Sequence, residues 1–219
     1  TESAYRWARE IGADYLECDM QVSKDGVVLA LHDDNLKRTT NIETVFGETL
    51  PREIRKNYYM KIGYSETEAE EKVKADEANF VPNLPAYYTY EELLMLDAGS
   101  WFNNENLEEA LPGLAKEKQY ISTLEDLIMY SKGYRLIRDR NQPGMPRQYS
   151  IVGKTGETIT SLSGTADIVK YDFGYEIDPV WEAGNKNIPG IYIEFKEPWL
   201  NPKGFEQIVY DVLANTQDM

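Results

Sequence analysis

Two short segments carry ionisable side chains at the spacing of a strand face. Glu17 and Asp19 lie two apart within Tyr15-Leu16-Glu17-Cys18-Asp19-Met20, and Glu194 precedes Lys196 by two within Ile193-Glu194-Phe195-Lys196. Residues i and i+2 of a strand share a face. Each segment therefore presents polar groups on one side and Leu16, Cys18 and Met20, or Ile193 and Phe195, on the other. Neighbouring carboxylates repel, which favours protonation of one of them unless a cation sits between. Taken alone, Glu17 and Asp19 read equally well as the wet face of an edge strand. Glu194 and Lys196 read as polar groups delivered to the C-terminal end of a strand, where α/β folds build their active sites, or as a surface ion pair. If Glu17, Asp19 and Glu194 converge, the donors are all oxygen, which suits Mg²⁺ or Ca²⁺ and not zinc. His32 is the only histidine and is followed by Asp33 and Asp34. An imidazole is suited to proton transfer near neutral pH, although a lone histidine is more often structural or simply exposed.

The elements that must position these groups follow from pattern. Thr1 can cap a helix to about Ile11, with Gly12 as its stop. Tyr15 to Val22 reads as a strand, Ser23-Lys24-Asp25-Gly26 as a turn, and Val27 to His32 as a second strand. Residues 42–88 read as a Tyr-rich insertion with a capping box, Ser65 with Glu68, opening a helix to about Asn79. The acidic residues of that helix read as a solvated face rather than a ligand patch. Thr89 with Glu92, and Ser122 with Glu125, predict two further capped helices. Residues 133–190 are rich in Gly, Pro, Asn and Asp and read as irregular with short hairpins. Ile191 to Lys196 is a compact strand. Asn201 and Pro202 then predict the start of a helix with Phe205, Ile208, Val209, Val212 and Leu213 on one face. Strands interleaved with helices indicate an α/β protein with a parallel sheet.

Composition narrows the partners. Against 23 Lys+Arg stand 38 Asp+Glu, a net charge of −15 over 219 residues. Such a chain lacks the basic face that nucleic acid requires, and the same field disfavours anionic lipid surfaces. No apolar run is long enough to span a bilayer. Cys18 stands alone, so no internal disulfide is possible, and its place on the apolar side marks it as a packed core thiol. Two imitations fail. Gly153-Lys154-Thr155 ends like a phosphate-binding loop, but Gln148 stands where that motif needs Gly. Asp139 to Ser150 opens like a calcium loop, but Pro143 and Ser150 occupy ligand positions. The 16 Tyr and 4 Trp are scattered along the chain and read as core.

Five ordered blocks carry a resemblance. Gly12-Ala13-Asp14-Tyr15-Leu16-Glu17-Cys18-Asp19 with Ser23-Lys24-Asp25-Gly26, then Leu31-His32-Asp33-Asp34-Asn35-Leu36-Lys37-Arg38-Thr39-Thr40, resemble the glycerophosphodiester phosphodiesterase family. Leu96-Asp97-Ala98-Gly99-Ser100-Trp101-Phe102, Ser122-Thr123-Leu124-Glu125-Asp126-Leu127 and Ile193-Glu194-Phe195-Lys196-Glu197-Pro198-Trp199 follow in the family's order. The resemblance implies a TIM-type (β/α) barrel and metal-dependent hydrolysis of a small glycerophosphodiester to glycerol 3-phosphate and an alcohol. It implies that Glu17, Asp19 and Glu194 hold the divalent metal, Ca or Mg, and that His32 is one of two acid–base histidines. It further implies that Lys196 contacts the phosphate, with Trp101 and Phe102 on the leaving-alcohol side unless they are simply core. The Pro-Trp after the last block resembles the secreted or periplasmic branch.

The family pattern opens with a His-Arg-Gly strand and a Pro-Glu-Asn-Thr-like motif. Thr1 matches the last residue of that motif. The expectation is therefore one partial domain over 1–219, an incomplete barrel with insertions at about 42–88 and 133–190. On that reading the parent enzyme is active and the isolated chain is weakly active or inactive. Two rival readings fit the same residues: a related lipid phosphodiesterase of the phospholipase D-like kind, and a non-catalytic, divalent-cation-dependent binding or surface protein.

Overall fold

The computed structural model describes residues 1–105, 108, 118–138, 150–153, 168–184 and 186–216. The elements are α1 Glu2–Glu10, β1 Tyr15–Val22, β2 Val28–Ala30, α2 Ile42–Val45, α3 Arg52–Lys61, α4 Glu66–Ala78, α5 Tyr90–Leu93, α6 Ser100–Glu105 and α7 Leu124–Ser131. They continue with β3 Tyr134–Leu136, β4 Ser150–Gly153, β5 Ile168–Asp172, β6 Tyr175–Ile177, α8 Pro179–Ala183, β7 Gly190–Phe195 and α9 Phe205–Asn215.

Strand β1 is the centre of a three-stranded sheet ordered β2-β1-β7. It pairs in parallel with β7, from Tyr15 opposite Gly190 to Met20 opposite Phe195. It also pairs antiparallel with β2, from Met20 opposite Ala30 to Val22 opposite Val28. The predicted β1 matches the observed span. Its alternation of buried Leu16 and Cys18 with exposed Tyr15 and Glu17 gives way to burial of every residue from Cys18 onward. Below the sheet, Leu16, Cys18 and Met20 pack with Leu124, Leu127, Phe205 and Val209 from α7 and α9. Each such side chain contributes roughly 1.5–3 kcal/mol by leaving water. A second core gathers Leu29, Tyr88, Tyr90, Leu96, Ile121 and Phe173. Of the TIM-type barrel that the resemblance implies, the described residues form a partial sheet and do not close a barrel.

Several boundaries differ from expectation. Thr1 occupies the N-cap of α1 but its side chain caps nothing. The helix is held instead by Arg9, whose buried guanidinium donates to Tyr130 O at 2.6 Å and pairs with Asp178 at 2.6 Å. Gly12 ends α1 at φ +89°, a conformation open to glycine at little cost. The cap of α7 is Thr123 with Asp126, one residue beyond the predicted Ser122 and Glu125. The second strand is trimmed to Val28–Ala30, although Leu31 N still donates to Asp19 O at 2.9 Å. Asn201 does not start α9, which begins at Phe205 behind Gly204. Its amide accepts from Val22 N at 2.9 Å and donates to Lys196 O and Glu197 O, so it pins the ends of β1 and β7 instead. The tie holds Glu197 at φ +43°, a left-handed conformation uncommon outside glycine.

Within residues 42–88, α3 and α4 pack around Leu50, Tyr58, Tyr59, Ile62, Ala69 and Val73, whereas Ile42 of α2 joins the core of Leu29, Tyr88 and Tyr90. The capping box of Ser65 and Glu68 opens α4 as predicted. Among the described part of 133–190, β3 pairs with β6 and β4 with β5, both antiparallel. The rejected loop imitations at 139–150 and 153–155 fall almost entirely outside the described residues.

Candidate functional site

The parallel register fixes the site. Glu17 stands opposite Tyr192 and Asp19 opposite Glu194, so carboxylates of two strands share one face. One ligand oxygen from each of Glu17, Asp19 and Glu194 lies within 4.8 Å of the others. Glu17 and Glu194 are exposed, whereas Asp19 is buried. Lys196 follows Glu194 on the same side, its Nζ 3.2 Å from Glu194 Oε1 and 3.4 Å from Asp19 Oδ1. The hydrogen bond to Glu194, reinforced by the charge of Asp19, holds the Lys196 ammonium protonated above its ordinary range. Glu17 is shifted toward its neutral form. Burial, then the charges of Asp19 and Glu194, push its pKa up against the weaker pull of His32 and Lys196.

His32 enters from the far end of the β1–β2 hairpin. Its Nε2 lies 3.5 Å from Lys196 Nζ, and its Nδ1 lies 2.8 Å from Asp33 Oδ1. Asp33 is gripped by Arg38, with Nε at 2.6 Å from Oδ2 and Nη2 at 2.8 Å from Oδ1. That fork, ahead of a contribution from His32, holds the Asp33 carboxyl below the usual range. Arg38 in turn lies over the indole of Trp101, 5.4 Å from the ring centroid.

A cavity of about 660 Å³ joins these groups. Its wall includes Glu17, Asp19, His32, Arg38, Trp101 and Phe102, together with Tyr5 and Gln119. Trp101 meets Phe102 edge to face at 5.9 Å. Asp97 holds their loop by accepting from the Gly99 and Ser100 backbone and from the Ser100 hydroxyl. Gly99 is required by space: a Cβ there would lie 2.4 Å from Gln119 Cγ. Cys18 is 1% exposed and its thiol is pushed up to about 12, first by burial, so it serves packing as expected.

All seven residues singled out in the sequence thus meet at one end of the sheet, with Lys196 and Glu194 beside the cavity and the other five in its wall. Sequence reasoning noted Asp33 as a carboxylate flanking His32 but missed Tyr5, Gln119 and Arg38 as parts of the wall or its supports. Arg38 left one usable signal, a cation five residues beyond Asp33 in the same loop. Tyr5 left none, since its side chain reaches the site only through the packing of α1.

Comparison with known proteins bears on the same region. The sequence model of the glycerophosphoryl diester phosphodiesterase family matches residues 1–150. The chain is 27% identical over 125 residues to a glycerophosphodiester phosphodiesterase of Bacillus subtilis, covering 57% of this chain and 29% of that protein. It is 41% identical over 56 residues to a glycerophosphodiester phosphodiesterase of Caldanaerobacter subterraneus, covering 26% and 23%. It is 28% identical over 173 residues to a glycerophosphoinositol inositolphosphodiesterase of Mus musculus, covering 74% and 26%. The chain thus spans less than a third of each of these relatives.

Proposed function

The chain belongs to the glycerophosphoryl diester phosphodiesterase family, and from that premise we propose that its cavity binds a glycerophosphodiester and that its carboxylate cluster holds a divalent cation for hydrolysis. The carrying observation is the convergence of Glu17, Asp19 and Glu194 within 4.8 Å beside the only imidazole of the chain. The donor set fits a hard cation: three carboxylates and no nitrogen or sulfur ligand, which suits Mg²⁺ or Ca²⁺. The upward push on Glu17, from burial first and then from the charges of Asp19 and Glu194, fits a site with room for a further cation. When bound, such a cation stabilises negative charge on phosphoryl oxygens.

The chain's own residues supply the rest. Lys196 offers a point cation to the phosphate at the edge of the carboxylates. His32 presents Nε2 to the same space and moves a proton there, as base toward water or as acid toward the leaving oxygen. Trp101 and Phe102 provide an apolar wall for the departing alcohol and exclude water from that side. Phosphate recognition within a chain of charge −15 then depends on local cations rather than on the overall field.

Release of glycerol 3-phosphate from glycerophosphocholine tests this, with Mg²⁺ or Ca²⁺, in a chain extended upstream of Thr1 by the family's His-Arg-Gly segment. Hydrolysis abolished by chelation, by His32→Ala and by Glu17→Ala is the expected result. Full activity in both variants would remove these residues from the reaction. Cation binding without any hydrolysis would favour a non-catalytic binding protein.

A further inference from the structure

The loop that follows His32 contains a chain of contacts longer than proton transfer requires. Asp33 Oδ1 faces His32 Nδ1 at 2.8 Å, both Asp33 oxygens accept from Arg38, and Arg38 lies 5.4 Å from the centroid of Trp101. An ionised carboxylate only accepts hydrogen bonds, and the Arg38 fork keeps Asp33 ionised. The proton between His32 and Asp33 therefore sits on Nδ1, which leaves the Nε2 lone pair toward Lys196 and the cavity. The bond made by one ring nitrogen decides the state of the other.

From this geometry we infer that Arg38 is a positioning residue: through Asp33 it locks His32 in the Nδ1–H tautomer, and through its stacking on Trp101 it makes the aromatic wall and the imidazole one mechanical unit. The inference rests on the proposed role of His32 but not on turnover. Isolated ion pairs at a surface contribute little. This one is bidentate and lies over an indole, and its carboxylate is only 17% exposed, the setting in which arginine cannot be replaced by lysine without loss. A ligand that displaces the indole would move Arg38, and with it the hydrogen bond that orients the ring. Arg38 would thus report occupancy of the alcohol side to the group that moves the proton.

The single histidine makes a direct test practical. In the full chain labelled with ¹⁵N-histidine, only His32 contributes ring signals. The spectrum is read on the high-pH plateau of those ring signals, where they no longer change with pH. There the native protein should show one protonated Nδ1 and one unprotonated Nε2. Asp33→Asn and Arg38→Gln should each move both signals toward the tautomer-averaged position, Arg38→Lys should restore part of the separation, and Trp101→Ala should give a smaller shift in the same direction. Thermal unfolding of each variant checks that the fold is kept, and the Arg38 side chain, 56% exposed, leaves no cavity when replaced. Unchanged signals in Arg38→Gln would overturn the role of Arg38, and unchanged signals in Trp101→Ala would overturn the link to the wall. Either result leaves hydrolysis to be judged by its own assay, and absent hydrolysis leaves the tautomer measurement standing.

Discussion

Two acidic clusters of this molecule behave differently. In the helical segment 42–88, the carboxylates come with matching cations. Arg55, 1% exposed, bridges Glu92 and Asp76. Arg52 pairs with Glu70 and Glu77, Lys56 with Glu66, and Lys24 with Asp76. At the sheet end, Glu17, Asp19 and Glu194 are served by Lys196 alone, and no ion pair to Glu17 occurs among the described residues. The two clusters are similar in residue type and differ in neutralisation. The helical carboxylates serve cohesion, whereas the sheet carboxylates keep a deficit of positive charge that a ligand can fill.

The sharpest way to break this contrast is Arg55→Ala. It strands the buried Glu92 carboxylate and removes one of the cations of Asp76, which keeps Lys24, and the expected loss is about 3–5 kcal/mol of unfolding free energy in urea. Stability within 1 kcal/mol of native would show the helical cluster to be as loosely neutralised as the sheet cluster. Next in size, Asp19→Asn should weaken Mg²⁺ or Ca²⁺ binding by at least about 10- to 100-fold in calorimetry, since loss of even an outer partner of a metal site costs that much. Without metal, the same variant should not destabilise the protein, because it relieves repulsion.

The pH dependence should carry opposite signs. Burial raises the Asp76 carboxyl, but hydrogen bonds from Lys24, Tyr59 and Arg55 outweigh it and hold its folded pKa below 3.8. Its contribution is therefore present above the unfolded value and is lost as pH falls through the folded pKa. The folded pKa of Glu17 is raised above 4.5, so native protein binds that proton more tightly than the unfolded chain. Its contribution is present below the unfolded value and is lost as pH rises through the folded pKa. Urea titrations of metal-free protein across acid pH should show each slope removed by Asp76→Asn and by Glu17→Gln respectively; slopes of the same sign would refute the distinction. The smallest effect is expected at the exposed pair of Lys56 and Glu66, where Glu66→Gln should leave the unfolding midpoint unmoved.

How much was legible in advance depended on locality. Strand β1 was readable to the residue because alternation of Leu16, Glu17, Cys18 and Asp19 is its own evidence. The capping boxes at Ser65 and Thr89 were readable because their partners lie three residues away. At Ser122 the same logic slipped by one, since Thr123 with Asp126 satisfies the pattern equally and only packing chose between them. Asn201 offered a helix-cap signature but is occupied by the ends of β1 and β7, a tertiary demand invisible in a local window. The convergence of Glu194 with Glu17 was suggested by residue type but required the parallel register to bring it about. Tyr5 and Gln119 join the wall only by packing, and nothing in their spacing announces it.

The antiparallel β1–β2 hairpin has a consequence for the order of assembly. Glu17, Asp19 and His32 lie on or beside one hairpin, so a short loop closure brings them together early and at low entropic cost. Glu194 and Lys196 arrive from almost the opposite end of the chain, through the β1–β7 pairing. Contacts of such long sequence separation form slowly. The half of the site that carries the histidine is thus expected to form before the half that completes the carboxylate cluster, and ligation becomes possible only once the β1–β7 pairing is made.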